Sequence, residues 1–401
     1  MASSLSERSQ QKWYEQRKKR IKRLQRVAGI CIAIGVLAFI VYYIFFQMNR
    51  TYAGFVTLQK SKRADSSSVQ YEYYNDQLLK YSKDGASALK LDGEILWNGS
   101  YEFQNPKAVF CGKYAAIADI GNKEIRVYNG EDTDTLISTE AVIDQIAIAN
   151  QGVVAAVLEN DDEAKINVYD PYDVTSQLKV SISTSTDSDG YPVAIALSED
   201  GQKLVSSYVN ISGGVVSGSL NFYNFDSVGK SNVDRIVGSR PMDQTIVADV
   251  QFINKDTVCA FVENGFYLYS MSETPKDIAN VTVKQTIKSV CYNEKYIALV
   301  LENSRDLEHP LQLQVYDTSG DQVLKKNIAY EYDTVEMGED EVIFYSSTDC
   351  NIVRIRGSEK LKCNFEESTS YVFPKEKADT YVLIDADTIR EVKLTGRTKG
   401  E

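Results

Sequence analysis

Beyond residue 50 the chain is written in short runs of alternating apolar and polar positions, rich in Val, Ile, Tyr and Phe and separated by clusters of Gly, Asn, Asp and Ser. A period of two bounded by turn residues predicts β-strands, and almost nothing here keeps the 3.6-residue period of an amphipathic helix. One unit recurs, a strand ending in an aromatic followed by a small polar residue. It reads IRVYNG (125–130), INVYDP (166–171), LNFYNF (220–225), FYLYSM (266–271) and LQVYDT (313–318), and Leu91, Ile355 and Leu394 fill the same slot in ALKLDG, IVRIRG and VKLTG. The series Leu91, Tyr128, Tyr169, Tyr223, Tyr269, Tyr316, Ile355, Leu394 advances by 37 to 54 residues per step, centred on the 40 to 47 of propeller repeats.

A second strand precedes each slot at a similar offset: QLLKYSKD, KYAAIADI, GVVAAVLEN, KLVSSYVN, TVCAFVEN, KYIALVLEN, EVIFYSST and TYVLIDAD. Two registers repeating together predict an all-β fold, a propeller of about eight four-stranded blades, each burying its apolar faces on its neighbours. The last unit lacks an outer strand, because after VKLTG only Arg397 to Glu401 follow. Residues 53–60, AGFVTLQK, can supply it and close the ring; if they are a plain linker, seven blades and an irregular unit is the better count.

Before the strands lies VAGICIAIGVLAFIVYYIFF, residues 27–46, uncharged and of spanning length. Residues 1–26 carry nine basic side chains (Arg8, Lys12, Arg17, Lys18, Lys19, Arg20, Lys22, Arg23, Arg26) against Glu7 and Glu15. A basic flank of that kind keeps its end in the cytoplasm and places the rest outside. The competing reading is a cleaved signal peptide, which the length of the apolar run and the bulky Tyr42, Tyr43, Phe45 and Phe46 disfavour. The expected organisation is a leader at 1–26, a transmembrane helix at 27–46, a juxtamembrane segment at 47–68, a propeller at 69–394 and a tail at 395–401.

Two stretches carry a resemblance. GYPVAIALSEDGQKLVSSY (190–208) resembles the tight Asp-Gly turn joining the first two strands of a blade in tricorn-like and WD40-like propellers, and LLKYSKDGASALKLDGEILW (78–97) is similar to quinoprotein-like repeats. With the basic leader and single span, the chain resembles a Gram-positive family of membrane-anchored propellers whose function is unknown. The resemblance covers essentially the whole chain and implies architecture, with no catalytic residue to carry over. The GH and WD pairs of WD40 repeats proper are missing, and Trp97 is the one tryptophan beyond the leader's Trp13, too few for the tryptophan-docking repeats of quinoprotein dehydrogenases.

Charge and chemistry narrow the function. The chain carries −12 overall; removing the +7 of residues 1–26 leaves −19 on the remainder, which disfavours nucleic acid as a partner. The one histidine, His309, sits in the polar loop ENSRDLEHPLQ with no second histidine or nearby cysteine, and reads as a surface residue. Cys111, Cys259 and Cys291 read as small buried hydrophobes, whereas Cys350 and Cys363 flank a turn near Gly357 and could face each other, with a disulfide as one outcome. The acidic run Glu159, Asp161, Asp162, Glu163 reads as a solvated turn, and Asp187, Asp189, Gly190 is an incomplete calcium loop. Asn49, Asn98, Asn210 and Asn280 lie in N-x-S/T sequons.

No catalytic, cofactor-binding or metal-binding residue is assigned. The expected function is a non-enzymatic interaction or scaffold module of the cell envelope, held in the lipid bilayer by residues 27–46 and partnered by an envelope protein or wall component. The alternatives are a ligand sensor signalling through the span and a carboxylate-based glycan hydrolase or lyase, the latter needing two suitably spaced acids.

Overall fold

The computed structural model describes residues 2–63, 65, 68–131, 134–160, 163–185, 190–212, 214–242, 245–377 and 379–396. Asp161, Asp162, Asp187, Asp189 and the tail from Arg397 to Glu401 lie outside them. The chain divides after Thr51 into two units. The first is a single helix, Ala2–Met48. Its segment Lys22–Tyr43 is, among the described residues, the one stretch long and apolar enough to cross a membrane, about 33 Å at 1.5 Å per residue. Ile30, Leu37 and Phe39 on it stand exposed.

The second unit contains eight four-stranded antiparallel sheets, so the blade count is eight and not seven. Seven blades use consecutive strands, beginning with Gln70–Tyr74, Gln77–Tyr81, Gly85–Leu89 and Ile95–Ser100 in blade 1. Blade 8 takes Thr369–Pro374, Thr380–Asp385 and Thr388–Thr395 from the end of the chain and its outermost strand, Gly54–Lys62, from before blade 1. Gly54 pairs with Thr395 and Lys62 with Thr388.

The alternation within each second strand explains the ring. In Tyr114–Asp119 of blade 2, Ala115 and Ile117 pack toward blade 1 while Ala116 and Ala118 pack toward blade 3. Both faces are buried, so strand period two feeds two interfaces instead of one core and one solvated face. The outcome is eight apolar clusters, one between each pair of neighbouring blades. All eight residues of the repeating slot are buried, each in the cluster shared with the preceding blade, with Leu91 reaching back to blade 8. At Tyr169, Tyr223, Tyr269 and Tyr316 the register with the fourth strand shifts, a bulge that turns the ring into the interface.

The Asp-Gly turn joins the first two strands of blade 4. Ser198 Oγ donates to Asp200 Oδ1 at 2.7 Å, the Lys203 amide donates to Ser198 Oγ at 2.9 Å, and Gly201 takes φ +69°, where a Cβ is costly. Beyond that turn, Lys203–Ser212 and Val215–Asn224 run ten residues each, leaving Ile211 and Val215 exposed on the overhanging hairpin.

The seam between blades 7 and 8 holds a buried ion cluster. Lys360 Nζ lies 2.6 Å from Glu341 Oε2 and 2.8 Å from Asp379 Oδ1, and donates to the Tyr381 hydroxyl at 3.0 Å. Tyr381 in turn donates to Glu341. Tyr52, at the start of the unit, donates through its hydroxyl to Asp379 at 2.7 Å and through its amide to the Lys360 carbonyl at 2.9 Å. Burial alone would raise the Asp379 carboxyl, but hydrogen bonds from Lys360 and Tyr52 outweigh it and hold it below the usual carboxylate range. On blade 8, Asp385 accepts from Thr369, Thr388 and both ends of the Arg390 fork at 2.7–3.1 Å.

Deleting residues 53–60 strips blade 8 of its outer strand and uncovers the Phe55 contacts with Phe365 and Tyr381. The melting temperature is expected to fall by roughly 10 °C or more in one cooperative transition; a melt unchanged by calorimetry contradicts the closure.

Candidate functional site

The innermost strands of blades 1 to 6 converge on the ring axis around a cavity of about 850 Å³. They are Gln70–Tyr74, Pro106–Cys111, Val142–Ile148, Tyr191–Leu197, Val247–Phe252 and Ile287–Tyr292. Gly112, Glu199, Asn254 and Asn293, from turns between first and second strands, also line it, so it opens on the face carrying those turns. In blades 3 to 6 the innermost strand carries a bulge, and Gln145, Asp249 and Ser289 follow it directly; a bulge re-aims the next side chain.

Apart from Lys107 and Lys255, the polar side chains inside are carboxylates and carboxamides, all planar. Gln251 Nε2 donates to both Asp249 oxygens at 3.2 Å, and the Val250 amide donates to Asp249 Oδ1 at 2.9 Å. Desolvation still raises the Asp249 carboxyl, against these bonds and the Lys107 ammonium, which reaches it from blade 2. Glu72 on blade 1 is raised by desolvation. Glu336, on the innermost strand Thr334–Met337 of blade 7, is pushed up to about 7 by desolvation and by the Glu72 charge.

Two rings stay partly open to the cavity: Phe110 is 38% exposed and Tyr292 37%. Phe110 stacks on Tyr74 with centroids 5.2 Å apart, and Tyr292 lies against Phe261 at 5.7 Å. Blades 2 and 6 are four positions apart in a ring of eight, which sets the two rings on opposite sides of the axis.

The residues singled out in sequence fall elsewhere. His309 sits in the loop between the second and third strands of blade 6, its Nδ1 3.1 Å from Asp306 Oδ2 and both side chains partly exposed. Among the described residues no group of three or more His, Cys, Asp or Glu is placed to hold a metal ion. Cys259 and Cys291 are buried in interfaces between blades, as expected of small hydrophobes. Cys111 is only half-buried and lines the cavity, its thiol pushed up to about 11 by desolvation and by Glu199. Cys350 and Cys363 stand directly opposite each other across the turn at Gly357, both as free thiols. Glu159 and Glu163 are exposed on blade 3.

Eight four-stranded blades around a lined axis define the chain's class: an eight-bladed β-propeller. In fold it is similar to BamB from Moraxella catarrhalis, at TM-score 0.52 and 10% identity over 86% of this chain and 99% of that one. It is also similar to Sqt1 from Chaetomium thermophilum, solved bound to the N-terminus of a ribosomal protein, at TM-score 0.51 and 13% identity over 86% of this chain and 100% of that one. A eukaryotic initiation factor matches at TM-score 0.52 and 12% identity over 86% and 89%. The chain belongs to DUF5711, a family of unknown function whose model matches residues 48–394. Among curated proteins none matches it in sequence.

The raised Glu336 carboxyl sets a pH dependence. Below about pH 4.5 it is protonated folded and unfolded; between 4.5 and about 7 the folded ring keeps a proton that the unfolded chain releases, so stability falls as pH rises through that window. Glu336→Gln removes the cost. Relative to wild type, its unfolding free energy is expected to be equal at pH 4 and higher by on the order of 2 kcal/mol at pH 8. Denaturant melts showing a pH-independent difference contradict the assignment.

Proposed function

We propose that the chain is a single-pass membrane protein of a Gram-positive type of envelope, with residues 1–26 in the cytoplasm and the propeller outside. There the propeller acts as a non-enzymatic interaction or scaffold module for an envelope protein or wall component. The observation that carries the binding role is the axial cavity, a concave site of ligand size with open rings beside planar polar groups. The anchor rests on the helix, whose apolar side chains between Lys22 and Tyr43 all stand exposed, and on its basic flank. The Sqt1 propeller held on a terminal peptide is a parallel for binding by a ring of this shape, at the level of fold alone.

One observation favours a second reading. The Glu72 charge adds to burial in raising the Glu336 carboxyl to about 7, and a carboxyl that keeps its proton near neutral pH is what general-acid cleavage of a glycosidic bond uses. Turnover of wall polysaccharide that Glu336→Gln abolishes would favour that reading.

Protease added to intact cells is expected to degrade the propeller while a tag at the N-terminus survives. A photo-crosslinker replacing Asn293 at the cavity mouth is expected to trap an envelope protein or wall fragment. Full protection of the propeller, or illumination that yields no adduct, contradicts the proposal.

A further inference from the structure

We propose that the axial cavity is a carbohydrate site that takes a neutral or amine-bearing oligosaccharide, seated between Phe110 and Tyr292 and hydrogen-bonded by the planar polar groups beneath them. The proposal deepens the reading above and rests on it only for the wall as the source of the ligand. The chemistry comes from the cavity itself.

Its volume, about 850 Å³, lies in the upper part of the roughly 300–1,000 Å³ range of ligand pockets. Phe110 and Tyr292 are more than a third exposed inside a concave surface, although nearly every other aromatic of the innermost strands is packed into an interface. Each is held from one side by a second ring, Tyr74 or Phe261, so the open side needs no ordering when a ligand arrives. A rigid ring with one free face is a platform for the flat C–H face of a pyranose, much as aromatic rings receive other apolar surfaces.

Between the platforms stand carboxamides and carboxylates. Gln145 donates to the Val193 carbonyl, which fixes its amide and leaves its oxygen available as an acceptor. Gln251 spends its Nε2 on Asp249, which likewise turns its own oxygen outward. The Glu72 carboxyl has no side-chain hydrogen bond or ion pair among the described residues, and desolvation alone raises it. Planar groups of this kind bridge adjacent hydroxyls of a sugar or take the N–H of an acetamido group, whereas a solvated backbone segment has fewer donors to offer them.

Charge decides which sugar. The lining holds Glu72, Glu199, Asp249 and Glu294 against Lys107 and Lys255, and no arginine. A phosphate or uronate would meet an acid excess without the bidentate fork that recognises such anions. A neutral N-acetylated sugar is accommodated, and a free amine finds Glu72 and Asp249.

The test uses the full chain in detergent micelles and titration calorimetry with four probes: chitopentaose, its de-N-acetylated pentamer, a galacturonate pentamer and pentalysine. Saturable binding of either of the first two is expected, with galacturonate at least about tenfold weaker. Phe110→Ala and Tyr292→Ala should each weaken binding about tenfold, Tyr292→Phe should retain it, and Ile211→Ser on the blade 4 hairpin should leave it unchanged. Absence of saturable binding by both chito-oligomers overturns the proposal. So does a preference for galacturonate or pentalysine, or equal loss in Ile211→Ser. Binding to the purified chain presumes no location, so a ring found inside the cell would remove the wall as source and leave the site standing.

Discussion

The structure depends on sheets that are apolar on both faces. Each second strand sends alternate side chains into two different interfaces, as Ala115 and Ile117 do against Ala116 and Ala118. A lone blade would expose all of them, at about 25 cal/mol for each Å² of apolar surface left in water. Stacking in a line moves that cost to the two ends, and only a ring removes it. Eight interfaces for eight blades is therefore the stable solution, and the strand Gly54–Lys62 completes it. The seam it closes also holds a buried ion cluster. Lys360 there has two carboxylates and a phenol around it, because a buried ammonium left unpaired costs several kcal/mol.

The same geometry creates the site. The innermost strands of six blades bring side chains to a shared cavity at the axis, from one residue on blades 1 and 6 to five on blade 2. Apolar residues serve the interfaces there, and the bulges release Gln145 and Asp249 from that duty. Carboxylates buried on these innermost strands resist ionisation, and desolvation raises Glu72, Asp249 and Glu336 alike.

Legibility in the sequence followed locality. The slot series from Leu91 to Leu394 and the second-strand register were readable because each repeats a short pattern whose residues are buried in every blade. That was enough for the fold and the count of eight. The axial site was not readable: Glu72, Lys107, Gln145, Asp249 and Tyr292 come from five blades, and no spacing along the chain marks them. The innermost strands also break period two at their bulges, which hides the residues they re-aim. Cys111 shows the same limit, since its strand context is apolar although its side chain borders the cavity.

Ring closure by a strand from the other end of the chain is the central claim, and amide hydrogen exchange across residues 54–62 reads it most directly. The account predicts protection of these amides comparable to that of their partners at 388–395 and lost together with it in denaturant. Exchange at 54–62 as fast as in an unstructured peptide, with 388–395 still protected, would contradict it.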